Sequence, residues 1–171
     1  HRNFEEVNLR FYVKRCRGGE VRRGVVFVKE IVPRWAVTQV ARTIYEENYI
    51  TLPMTHRVEM ERNQPGNVEY AWKIGSSWHR LSVRARDQAR HMLAGTEEEF
   101  IAEHYWGYTA RKNGACQEYY VAHAPWRIWN VSDAALETDV AALYGAEFSD
   151  ALSAPPRSAF RSRALLGAAS Q

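Results

Sequence analysis

Val7, Leu9, Phe11 and Val13 alternate with Asn8, Arg10, Tyr12 and Lys14 at the start of the chain. This period of two puts apolar and polar side chains on opposite faces of one strand. Arg17-Gly18-Gly19-Glu20 supplies a turn, and Gly24 to Ile31 reads as the returning strand of a hairpin. Pro33 suits the first turn of a helix, where its missing N–H costs nothing. Val37, Val40, Ala41 and Ile44 recur at helical spacing, which predicts an amphipathic helix over residues 34–47. The period of two then resumes. Met54, His56, Val58 and Met60 form one face of a strand, and Gln64-Pro65-Gly66-Asn67 is a turn. Val68, Tyr70, Trp72 and Ile74 form the return, and residues 77–86 set Leu81, Val83 and Ala85 against Arg80, Arg84 and Arg86.

Thr96 followed by Glu99 has the form of a capping box and predicts a helix over residues 97–105. Residues 106–112 and 116–123 flank Asn113-Gly114, a pair suited to a tight type I′ hairpin turn. A short strand is expected over Arg127 to Val131. Ser132 or Asp133 is expected to cap a last helix carrying Leu136, Val140 and Leu143. Seven or eight hairpin strands with about three helices imply an α+β fold, its sheet mostly antiparallel, curved and able to close. The pattern reads as a single domain over residues 1–160. Residues 161–171 lack strand patterning and are expected to form a loosely ordered, atypical tail.

The 171 residues are 46% hydrophobic and 25% charged, which is enough for a core and argues against disorder. No apolar run reaches the roughly 18–20 residues of a membrane span, and no signal-peptide pattern opens the chain. Cys16 and Cys116 have no metal-like spacing and read as free thiols of a cytoplasmic protein. Net charge is only +3, yet residues 1–34 hold nine Arg or Lys against four Glu, and 19 of the 23 basic residues are Arg. An Arg-rich face could bind phosphate or nucleic acid, but no nucleic-acid motif accompanies it, and a solvated surface is the plainer reading. Phosphate-loop, dinucleotide, zincin and serine-elbow motifs are all absent. The six histidines have no ligand spacing, so neither a metal nor another cofactor is expected.

Five segments, in order, resemble the YqjF-like family, a domain of unknown function. They are Glu6 to Val13, Gly24 to Val28, Ala41-Arg42, Phe100 to Trp106, and His123 to Arg127. The resemblance covers roughly residues 4–160. Members usually carry a segment before this first strand, and many end in another strand, so the chain is expected to be a fragment or to have a frame-shifted end. The family is similar in fold to the acetoacetate decarboxylases. The resemblance therefore implies a cone- or barrel-like sheet around an internal pocket for a small organic acid or ketone. Those decarboxylases use a lysine amine as a Schiff-base nucleophile. Here Tyr49 or a neighbour falls at that place, and no lysine lies between Lys29 and Lys73. The Schiff-base mechanism does not carry over, and whether the chain is an enzyme stays open.

Asn8, Arg10 and Tyr12 share one strand face. If it lines the pocket, Arg10 can clamp a carboxylate while Asn8 and Tyr12 donate hydrogen bonds. Glu6, matching a family glutamate, and His123, at a strand end, are candidate acid–base residues. Tyr49 and Tyr105 are candidate pocket walls. The plainer alternatives are an exposed strand face, a strand-edge acid, a turn-fixing histidine and core aromatics. Three readings follow: a small-molecule-binding domain, a lyase-like enzyme using acid–base residues, or an interaction or nucleic-acid module using the Arg-rich face. A small-molecule ligand is the expected partner, with no membrane, nucleic acid disfavoured and homo-oligomerisation left open.

Overall fold

In a computed structural model, residues 4–59, 66–121 and 126–164 are described. In chain order the elements begin β1 (Val7–Arg17), β2 (Glu20–Val32), α1 (Trp35–Val40), β3 (Tyr49–Thr51), β4 (Met54–Glu59), β5 (Gly66–Ile74) and β6 (Ser77–His91). They continue with α2 (Glu97–Ala102), β7 (Trp106–Ala110), β8 (Cys116–Tyr120), β9 (Trp126–Glu137), α3 (Val140–Tyr144), α4 (Ser149–Ser153) and β10 (Phe160–Ala164). A π-helical turn, Ala41–Tyr45, extends α1, and a 3-10 turn, Ala146–Phe148, joins α3 to α4. The α+β, mostly antiparallel architecture expected from the hairpins is what forms. The strands lie in two five-stranded sheets, and among the described residues neither closes into a barrel. The chain divides into two compact units, one around each sheet. No helix among the described residues is long and apolar enough to cross a membrane.

The first unit is organised by β2. It pairs antiparallel with β1 along its whole length. Its other edge is shared: Gly24 and Val25 pair parallel with β7, and Glu30 to Val32 pair parallel with β3. Strand β8 completes the sheet against β7. Gly18 and Gly19 both have positive φ in the two-residue turn between β1 and β2, which L side chains resist. Ile31 and Val32 are fully buried and anchor this unit. Each contributes roughly 1.5–3 kcal/mol on burial. In the second unit the strand order is β10-β9-β6-β5-β4. Ile128 and Trp129 are its most buried large side chains, and Arg90 ties α2 to β9 by bonding both Glu98 (2.9 Å) and Asn130 (3.2 Å).

Several expectations are corrected. Among the described residues there are four α-helices and ten strands, where the sequence pattern implies about three helices and about seven or eight strands. Ser132 and Asp133 do not cap a helix. They lie within β9, which pairs with β10 over residues 126–130 and with β6 as far as Glu137, with Leu136 facing Leu81 and Arg80 bonding Glu137 at 3.1 Å. Asp139 is the cap instead, accepting from the Ala142 N–H at 2.9 Å. The β7–β8 loop is not a two-residue type I′ turn. The bond from Arg111 N–H to the Ala115 carbonyl closes a three-residue loop, and of its residues only Gly114 has positive φ. Thr96 does cap α2, but the Glu99 carboxylate reaches back to Gly95 N–H at 2.6 Å, and the helix stops at Ala102. Residues 161–164, expected to begin the tail, instead join Phe160 in β10, paired with β9. Residues 165–171 lie outside the described residues.

Candidate functional site

Strand register decides which side chains of the first unit share a face, because residues directly opposite in a ladder point the same way. Asn8 lies opposite Glu30, Tyr12 opposite Val25, Val25 opposite Gly107, and Gly107 opposite Tyr119. Glu30 is also opposite Tyr49 on β3. One face therefore carries Asn8, Arg10 and Tyr12 together with Glu30, Tyr49 and Tyr119. The other carries Arg15, Arg22, Trp106, Tyr108, Glu118 and Tyr120. On that second face Glu118 accepts from Arg15 (3.1 Å) and Arg22 (2.7 Å), and the Arg22 guanidinium lies 4.4 Å over the Trp106 ring.

Glu30 is the unusual residue of the first face. It is only 2% exposed, held between β1 and β3 in front of Ile31 and Val32. A bulge places it there. Register slips between Leu9/Lys29 and Arg10/Phe27, leaving Val28 as the extra residue. Asn48 satisfies the freed Val28 carbonyl through its side-chain amide (2.6 Å), and its own carbonyl accepts from the Glu30 N–H (3.0 Å). Tyr49 hydrogen-bonds the Glu30 carboxyl. The second oxygen, Oε2, is buried and has no hydrogen-bond partner among the described residues. Burial drives the Glu30 pKa up to about 8. The nearby Glu47 and Glu6 charges push the same way, against the Tyr49 hydrogen bond.

Glu47 arrives from a different local device. The π-helical turn ends at Glu46 in the left-handed region (φ 57°), and the Glu46 carboxylate accepts from the Lys112 N–H at 2.7 Å. π-Turns recur at functional sites because they re-aim the residues that follow. Here the next residue, Glu47, has its carboxyl pushed up by burial and by Glu6, opposed by a hydrogen bond to Tyr119. The Tyr119 hydroxyl also bonds Thr109. Burial and the adjacent carboxylates push the phenols of Tyr49 and Tyr119 above the usual range. Glu47 and Tyr49 also line a groove of about 460 Å³ walled by Ala36, Val37, Val40, Ala41 and Tyr45.

The sequence-derived candidates fall as follows. Glu6 and Tyr49 join the cluster, and Asn8 donates to Glu6 at 3.2 Å. Arg10 and Tyr12 share the cluster's sheet face, with the guanidinium 5.7 Å from the Tyr12 ring. Tyr12 in turn packs on His104, ring centroids 4.7 Å apart. Tyr105 stacks with Tyr120 at 5.9 Å. His123 lies outside the described residues. Sequence reasoning missed Glu30, Glu47 and Tyr119. Glu30 had a signal, being an acid set against the apolar run Val25 to Val32. Cys16 and Cys116 are free and exposed, and no group of three metal-ligating side chains forms among the described residues.

Replacing Tyr49 with Phe removes the hydrogen bond that favours ionised Glu30. The Glu30 midpoint in a carboxyl-detected NMR titration should then rise above about 8. A midpoint that stays or falls would show that the phenol does not serve the carboxylate.

Together these features define an α+β protein whose first unit holds a carboxyl cluster framed by tyrosines, with Glu30 buried, Glu47 half-buried and Glu6 exposed. A family model matches residues 1–164, and the chain belongs to that family, DUF2071, described as an uncharacterized conserved protein. This is the YqjF-like group that the five sequence segments resemble. No curated protein matches the chain.

Proposed function

We propose that the first unit binds a small carbonyl compound, a ketone or keto acid, with Glu30 as the proton donor to its oxygen. The observation that carries this reading is Glu30 itself, 2% exposed, hydrogen-bonded on one side by Tyr49 and with Oε2 unpartnered. A carboxyl held up to about 8 stays largely protonated at neutral pH, so it can donate where an ionised one can only accept. Glu6 and Glu47 are the neighbouring carboxylates that would exchange protons with it. Arg10, on the same sheet face, is the cation a keto acid's carboxylate would meet. The groove beside Glu47 and Tyr49 has apolar walls and few polar groups, the usual composition of a small-ligand site. The acetoacetate decarboxylase-like ancestry that the sequence resemblance implies agrees in ligand class, with a carboxyl in place of the amine.

The Arg-rich alternative draws less support. Arg15 and Arg22 pair with Glu118, and Arg80 pairs with Glu137. The test is a ligand-observed NMR screen of small ketones and 2-oxo acids against wild type, Glu30→Gln and Tyr49→Phe. Saturable binding that weakens severalfold in Glu30→Gln is expected, because the amide N–H is a weaker donor than the neutral carboxyl O–H and cannot release a proton; the scale is the roughly 0.5–1.5 kcal/mol of one neutral hydrogen bond. Absence of saturable binding across the set, or binding indifferent to Glu30→Gln, would sink the proposal.

A further inference from the structure

Gly107 does not need to be glycine for its backbone. Its φ lies outside the left-handed region, unlike that of Gly114 in the following loop. What it needs is space. A Cβ there would lie 2.5 Å from the Tyr119 hydroxyl oxygen and closer still to Cζ and Cε2 of the same ring. The Tyr119 ring therefore lies flat across the bare Gly107 backbone, its direct ladder partner. From that seat its hydroxyl meets Thr109, two residues along β7, and Glu47. Aromatic rings covering glycines across a ladder are a known way to pin register. Here the same packing aims a polar atom.

We propose that Gly107 is a positioning residue for the carboxyl cluster: by leaving room for the Tyr119 ring it delivers the phenolic hydroxyl to Glu47. Gly107 touches no ligand in this scheme and acts wholly through Tyr119. The groups that face Glu47 are Tyr119, Glu6, Glu30 and Tyr49, and of these only Tyr119 is a hydrogen-bond donor to it. The inference takes the cluster as the functional site, yet its test needs no ligand, so its failure and that of the binding proposal are separable.

The experiment is a carboxyl-detected NMR titration of Glu47 in the full chain, comparing wild type, Tyr119→Phe, Gly107→Ala and the double variant. Tyr119→Phe removes only the hydroxyl and should raise the Glu47 midpoint by about one pH unit, the scale of a hydrogen bond to a charged group. Gly107→Ala should raise it by a similar amount with the hydroxyl still present, and the double variant should add nothing further. A Gly107→Ala protein with the wild-type Glu47 midpoint, or a double variant in which the two shifts add, would overturn the proposal. If Gly107→Ala does not fold, Gly107→Ala combined with Tyr119→Ala relieves the clash. Recovery of native circular dichroism then supports the seat, and failure to recover refutes it.

Discussion

Raising the pH from 5 to 9 should destabilise the protein, and Glu30→Gln should remove most of that loss. The sign follows from the direction of the shift. The Glu30 carboxyl titrates at about 8 in the folded protein against an ordinary value of 4.5. Between those two values the unfolded chain has released the proton and the folded chain still holds it. Unfolding then releases a proton, so stability falls as pH rises through this window. Below about 4.5 both states are protonated, and above about 8 both are ionised, so the curve flattens at each end. If Glu30 titrated alone, the loss across the window would be roughly 3–5 kcal/mol, a large part of the stability of a domain this size. Glu47, also shifted upward, adds loss in the same direction.

Glutamine has nearly the same shape and no charge to desolvate. It can still accept from Tyr49, but its amide places a donor where Oε2 now has no partner. At pH 5 the variant should therefore match wild type or fall slightly below it, by about 1 kcal/mol. At pH 9 it should exceed wild type by a few kcal/mol. Urea unfolding at four pH values between 5 and 9 measures both curves. Because every other titrating group is common to the two proteins, the difference isolates Glu30. Parallel curves would mean that Glu30 ionises normally, and the proton-donor role would fall with them.

How much of this was legible in the sequence depends on what kind of information each feature requires. The β1–β2 hairpin was legible because alternation and a Gly-Gly turn are local. So was the fact that Asn8, Arg10 and Tyr12 share a face. Which way that face points was not legible, because it depends on Glu30 lying opposite Tyr49 and Val25 opposite Gly107, pairings outside any hairpin. The bulge at Val28 is equally silent, since it exists only as a count of residues against β1. Glu47 was hidden by the π-turn, which a helical pattern over residues 34–47 cannot distinguish from a plain α-helix. The misplaced helix after Ser132 has another cause. Leu136, Val140 and Leu143 fit a helical spacing, but β6 supplies ladder partners for β9 as far as Glu137, and that pairing overrides a marginal local preference.

The same long-range effect explains the strand at Phe160–Ala164, and it yields the second large expected result. Trp129→Ala should cost about 3–5 kcal/mol, among the most damaging single changes available in the second unit. Trp129 is 2% exposed and packs with Ala85 and Ala89. Of the buried side chains in its cluster, Ala85 and Ala89 are too small to fill the space by turning a rotamer, so the cavity term should be large. Arg161, its partner on β10, lies 4.1 Å over the indole ring, and truncation removes that cation–π contact as well. Trp129→Phe separates these contributions. The indole N–H has no hydrogen-bond partner among the described residues, so losing it should not uncover a polar cost. Phe keeps a ring under Arg161 and most of the packing, and should cost only on the order of 1–2 kcal/mol. Chemical denaturation of the two variants gives the comparison directly. A Phe variant as damaged as the Ala variant would show that the N–H does have a partner. An Ala variant costing under about 1 kcal/mol would show that the β9–β10 pairing does not bury Trp129 in solution.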